Sequence, residues 1–128
     1  MSDSSTTKVN WQSYYCTSTT AIFIPVSPWM SAPEVQYLRA QFELAARVDN
    51  FQARAAYQLA NDPRNPDAAV GFGGTKATEG YEDPTDYTDV GTDFKARALF
   101  RFGFLCSNTS GSGLSMGRLA GTLYRVNR

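Results

Sequence analysis

Side chains that move protons, attack carbonyls or hold metals are scarce in these 128 residues. The chain has no histidine, which removes the commonest general base, the usual triad partner and the commonest nitrogen ligand for a metal. Three lysines remain: Lys8 in a polar N-terminal stretch, Lys76 beside a glycine pair, and Lys95 among aromatic residues. None lies in an evident pocket, so a lysine nucleophile has few places to sit. Carboxylates are the other route. Residues 79–93 crowd acids together as Glu79, Glu82, Asp83, Asp86, Asp89 and Asp93, and calcium takes oxygen ligands of this kind. The spacing lacks the alternating acids and central glycine of an EF-hand, so this stretch reads as a solvated or partner-facing loop. No pair of strand-borne carboxylates is placed to flank a glycosidic bond. The expectation is a protein that is not an enzyme, with no cofactor and no metal.

The remaining local patterns also favour plain readings. Gly71-Phe72-Gly73-Gly74-Thr75-Lys76 follows part of a phosphate-loop pattern, but its first glycine is missing and no helix signal follows, so it reads as a turn. Asn108-Thr109-Ser110 satisfies a glycosylation sequon, yet no secretory signal precedes it and a hairpin turn is the simpler reading. Cys16 and Cys106 are too few for a disulfide framework or a four-ligand metal site, and read as reduced and buried. Arg97 and Arg101, with Arg118 and Arg125 on the next strand, suggest either a basic strip facing the acids of a neighbour or a solvated outer face. Trp29 and Met30, after Pro28, suit either an interface anchor or a cap on the end of the sandwich. With Lys8, Tyr81 and Tyr87 they complete the candidate interface.

The elements that must carry these residues read as mainly β. At 42% apolar and 13% aromatic residues the composition is globular and suits one domain. Acids and bases balance at 12 each, so no net field draws the chain to nucleic acid or to an anionic membrane. The longest apolar run, near 21–26, is far short of a bilayer span. Together with the absence of a signal sequence, this implies a protein made in the cytoplasm. Residues 1–9 are polar and read as an arm preceding a domain at 10–128. Thr19 to Ile24 reads as a strand, with Pro25 and Pro28 marking an edge.

Residues 31–48 admit two readings. Ser31 and Glu34 resemble a capping box before helical spacing. Against this, Leu38, Ala40, Phe42, Leu44, Ala46 and Val48 alternate with polar residues as in a strand. Phe51 to Leu59 alternates again after the turn-forming pair Asp49-Asn50, which favours two strands in a hairpin, although the alanines prefer helix. Residues 61–93 form a long Gly/Pro/acid-rich loop with a possible short strand at 69–72. Phe94, Ala96, Ala98, Phe100, Phe102, Phe104 and Cys106 then share one face, and Leu114 to Val126 returns as the second arm of a terminal hairpin. Six to eight strands (~7) fit a two-layer antiparallel β-sandwich or jelly-roll with an N-terminal arm.

From residue 35 onward the order of features resembles that of small β-sandwich virion proteins of tailed bacteriophages. The resemblance rests on 53–62, a Gly/Thr/Pro-rich loop, the aromatic run 94–104, the turn 110–114 and the segment 117–123. It implies a capsid decoration or cement protein, or a small tail or neck component, located in the virion. Its partners would be other copies of itself and other virion proteins such as a major capsid protein, joined through many modest contacts. The alternative from another class is a carbohydrate-binding module, with Tyr81, Tyr87 and Trp29 as its stacking platform.

Overall fold

A computed structural model describes residues 4–82, 87–110 and 113–128. Its strands are β1 (Ser4–Cys16), β2 (Ile22–Pro25), β3 (Met30–Ser31), β4 (Val35–Val48), β5 (Phe51–Ala60), β6 (Val70–Lys76), β7 (Gly80–Glu82), β8 (Thr88–Asp89), β9 (Leu99–Asn108) and β10 (Ser115–Asn127), with one short helix, α1 (Gly91–Lys95). Sheet A runs in the order β1-β10-β4-β7, with β8 also on β4; sheet B runs β2-β9-β5-β6, with β3 also on β9.

The order follows from one long antiparallel ribbon. The pairs β1 with β10, β2 with β9, β4 with β7 and β5 with β6 are those of a chain doubled back on itself. Rolling that ribbon adds the ladders between β10 and β4 and between β9 and β5. This is the jelly-roll form of the β-sandwich, in which eight main strands occupy two packed sheets.

Alternation explains which faces meet. In β9, Phe100, Phe102, Phe104 and Cys106 are fully buried, and Val35, Leu38, Ala40, Phe42 and Leu44 of β4 are buried opposite. Phe104 stands edge-on to Phe42 at 5.2 Å, joining the two sheets, and to Tyr14 of β1 at 5.9 Å. The alanines of β5 have a packing reason that overrides helix preference. Ala55 pairs with Phe104 and Ala53 with Cys106, while Tyr57 and Leu59 pair with Phe102 and Phe100. Small residues beside the largest rings keep the interior close-packed.

Several expectations change here. Residues 35–48 form strand β4, as the alternating reading requires, and 32–34 form a turn between β3 and β4 where the capping-box reading placed a helix start. The supposed arm is a strand: Ser4 to Val9 pair with β10, from Ser4↔Val126 to Val9↔Gly121. Their Ser and Thr content suits the solvated face of an edge strand, and threonine is a good strand former. Asp49 and Asn50 take the positive φ of 54° and 62° expected of a tight turn. Yet β4 and β5 lie in different sheets, so the turn is a corner of the sandwich and not a hairpin. The same holds for β9 and β10, whose link crosses from sheet B to sheet A.

The supposed long loop contains β6, β7, β8 and α1. Gly71 to Lys76, read as a turn, is strand β6; a side chain at Gly71 would strike the Arg54 guanidinium at 2.9 Å, and one at Gly74 would strike Glu82. Phe94 is not in the last sheet strands but in α1, where it remains fully buried against Tyr57 and Phe100.

Candidate functional site

The outer face of sheet A is arranged in rows, because directly paired residues in neighbouring strands point to the same side. Tyr15, Met116 and Val48 form one row across β1, β10 and β4. Tyr15 and Val48 are exposed, and exposed Leu114 immediately precedes β10. Tyr15 and Val48 flank Met116 from either side, an exposed apolar row of a kind that monomer surfaces usually keep small. Sequence reading missed the row because its members lie in three separate segments.

Further along the same face, β1 slips register with β10 between Val9 and Gln12, leaving Asn10 and Trp11 in a bulge. Bulges bend a strand and re-aim its side chains. Trp11 there forms one wall of a groove of about 540 Å³. Ala120 lies on the floor, and Glu43 and Tyr81, which pair across β4 and β7, form the far side. Lys8, Thr122 and Gln41 make the adjoining row, Thr122 being paired with both of the others. The Tyr81 ring is 73% exposed and its hydroxyl is hydrogen-bonded to Glu43, whose carboxylate pushes the phenol above its ordinary value. The Tyr124 hydroxyl donates to the Gln41 carbonyl at 2.8 Å. Arg118 lies over Trp11 at 5.6 Å, and Arg39 lies between Tyr124, at 4.3 Å, and Tyr87, at 5.4 Å.

The other candidate residues sit elsewhere. Arg101 of β9 is on sheet B, holding the Gln58 carbonyl with two donors at 3.0 and 2.7 Å and covering the Trp29 ring at 4.4 Å. Trp29 and Met30 are half-buried, and Met30 packs against the core, so neither protrudes as an anchor. Arg97 lies between α1 and β9 and is paired with Asp67 at 2.6 Å. The basic strip therefore does not form: Arg101 is on sheet B, whereas Arg118 and Arg125 are on sheet A. Tyr87 is on the sheet A side against Tyr37 at 6.4 Å. Trp29 is thus separated from Tyr81 and Tyr87 by the thickness of the sandwich, and the three do not make one platform.

Of the acids at 79–93, Glu79 accepts from the Arg47 backbone N–H, and Asp89 accepts from Gln36 and from the Gly91 N–H. Asp83 and Asp86 lie outside the described residues. Among the described residues no three acids or cysteines gather as a metal cluster. Cys16 and Cys106 are free and buried, with the Cys16 thiol donating to the Cys106 carbonyl at 3.4 Å. Burial, then the neighbouring cysteine, pushes the Cys106 thiol up to about 12. Asn108 of the sequon is fully buried, its amide donating to the Gly113 carbonyl while its oxygen accepts from Ser110.

No family model matches this chain, and no curated protein does. Solved structures do. The VP2 subviral particle of infectious bursal disease virus aligns with a TM-score of 0.65 and 12% identity, covering 98% of this chain and 33% of that one. T=1 particles derived from the same virus align at 0.64 and 12%, covering 98% and 32%. The Gt strain of that virus gives 0.64 and 10%, covering 96% and 32%. The chain thus spans about a third of the length of the proteins it matches, and at these identities the likeness is one of fold. It bears out the two-layer antiparallel β-sandwich of jelly-roll form that the sequence suggested.

Proposed function

We propose that this chain is a non-enzymatic structural protein of a virus particle, acting in many copies beside other copies of itself and other virion proteins such as a major capsid protein. The observation that carries the reading is the eight-strand order, which aligns over nearly the whole chain with VP2 chains described as forming subviral and T=1 particles. The resemblance of 53–62, 94–104 and 110–123 to small phage virion proteins favours decoration or cement on a bacteriophage capsid, after synthesis in the host cytoplasm. The row of Tyr15, Met116 and Val48, with Leu114 nearby, supplies an apolar surface through which copies can meet. A formal net charge of +0 sets no long-range repulsion against that contact.

Sedimentation velocity across a rising concentration series tests the reading. The expected result is a mass that climbs above 14.1 kDa and a concentration dependence displaced about tenfold by Val48→Asp. Val48 is exposed at the end of β4, so that substitution costs the fold only about 1 kcal/mol. A monomer at every concentration refutes self-assembly.

A further inference from the structure

The groove beside Trp11 is not explained by assembly. Its walls stand on β1 and β7, three strand spacings apart, which is about 14 Å between backbones. Trp11, 45% exposed, and Tyr81, 73% exposed, are the rings at its two ends. Between them Ala120 keeps the floor low, where any larger outward residue in β10 would close the gap. Within the lining Lys8 supplies a cation, Glu43 an anion that holds the Tyr81 hydroxyl, and Thr122, Asn10 and Gln41 neutral groups, while the Arg118 guanidinium lies 5.6 Å from the Trp11 ring at the rim.

We propose that this groove binds a neutral oligosaccharide. Sugar rings carry apolar C–H faces that stack on exposed aromatic rings, and hydroxyl edges that exchange hydrogen bonds with amides, hydroxyls and carboxylates. Two rings flanking a polar floor match both surfaces at once. An anionic ligand such as phosphate would meet the Glu43 carboxylate as well as the Lys8 ammonium, which leaves no net attraction within the lining, and a purely apolar ligand would bury the polar row without partners, which costs free energy. The flat outer face of a second copy would span the two rings without reaching Ala120. The inference does not rest on the virion reading, because binding is a property of the single folded chain.

The chain has two tryptophans, and Trp29 lies against Arg101 of the other sheet. In a Trp29→Phe background, Trp11 is therefore the sole indole and reports on the groove directly. The titration uses maltotriose and tri-N-acetylchitotriose, with inorganic phosphate as the charged comparison, at concentrations where the protein is monomeric. The expected result is a saturable change in Trp11 emission with at least one of the two sugars and none with phosphate. Tyr81→Ala, and separately Ala120→Phe, should each weaken that sugar at least about tenfold. Circular dichroism confirms that each variant is folded, and Tyr81, exposed on a short strand, is the safer of the two. The proposal is overturned if neither sugar gives a saturable response, if phosphate competes equally, or if both folded variants bind as well as the parent. Emission that changes with protein concentration alone identifies a second copy as the occupant and also overturns it. Loss of assembly by Val48→Asp leaves this titration unaltered, so the two readings fail separately.

Discussion

Deleting residues 2–9 should destabilise the fold itself, because Ser4 to Val9 are the first six paired positions of an edge strand, not a loose arm. Two contributions nearly offset each other. Each backbone pair yields roughly 1 kcal/mol net, and ordering each residue costs about 1 to 2 kcal/mol. What remains is the apolar burial of Val9, which is 6% exposed and packed in the core cluster; burying a valine contributes about 2 kcal/mol. With a urea dependence of about 2 kcal/mol per molar for a domain of this size, the unfolding midpoint should fall by about 1 M. Equilibrium urea unfolding followed by tryptophan fluorescence reads this directly, since Trp11 and Trp29 both remain in the shortened chain. A midpoint unchanged within about 0.2 M would mean that residues 4–9 contribute no strand to sheet A, and would refute the reasoning. The shortened chain should also aggregate more readily, because it leaves half of β10 unpaired along one edge.

Three other perturbations have defined outcomes. Tyr14→Phe should be neutral or stabilising by up to about 1 kcal/mol in urea unfolding, since the buried Tyr14 hydroxyl has no hydrogen-bond partner among the described residues. Gly103→Ala should cost about 2 kcal/mol or more in the same assay, because its added carbon would lie 2.4 Å from the Ile24 carbonyl oxygen and 2.5 Å from the Phe23 ring. Raising the pH should weaken the fold from the alkaline side. Burial pushes Cys106 up to about 12 and raises the Tyr14 and Tyr57 phenols, so the folded chain holds these protons more tightly than the unfolded chain does. That stability is complete below the unfolded thiol value of about 8.5 and is lost as pH climbs toward the folded values. Thermal melting between neutral and strongly alkaline pH checks it, and a melting temperature that stays flat would contradict the assignment.

The strongly alternating strands were legible in the sequence, and their partners were not. Alternation at Leu38 to Val48, at Phe51 to Leu59 and at Phe100 to Cys106 reports which side of a strand is buried, a local property. Partner choice is not local. Asp49-Asn50 has the turn chemistry of a hairpin, but a turn reverses the chain without fixing whether the two strands stay side by side. Ala46, at φ 51°, and the register shift between Met116 and Arg118 mark irregularities at the end of β4 near that corner. Glycine concealed the part of β6 beyond the short strand expected at 69–72, since Gly71, Gly73 and Gly74 are poor strand formers, and the absent side chains of Gly71 and Gly74 make room for Arg54 and Glu82. The polar N-terminus concealed β1, because an edge strand with one solvated face needs few apolar residues.

The candidate sites show the same division. Lys8 and Tyr81 were singled out from their types, and both line the groove. Trp11 and Ala120 carry no local signal, because their roles come from a bulge in β1 and from register across β10. Arg97, Arg101 and Arg118 looked continuous along the chain, yet Arg101 and Arg118 are separated onto opposite sheets once β9 and β10 divide between them.

Assembly is the central claim, and imaging the concentrated chain by electron microscopy tests it most directly. Copies meeting through one defined patch should form closed, symmetric particles or rings of uniform size, and Val48→Asp should abolish them. A field of single small particles at every concentration, or irregular clusters equally abundant with Val48→Asp, would contradict the account.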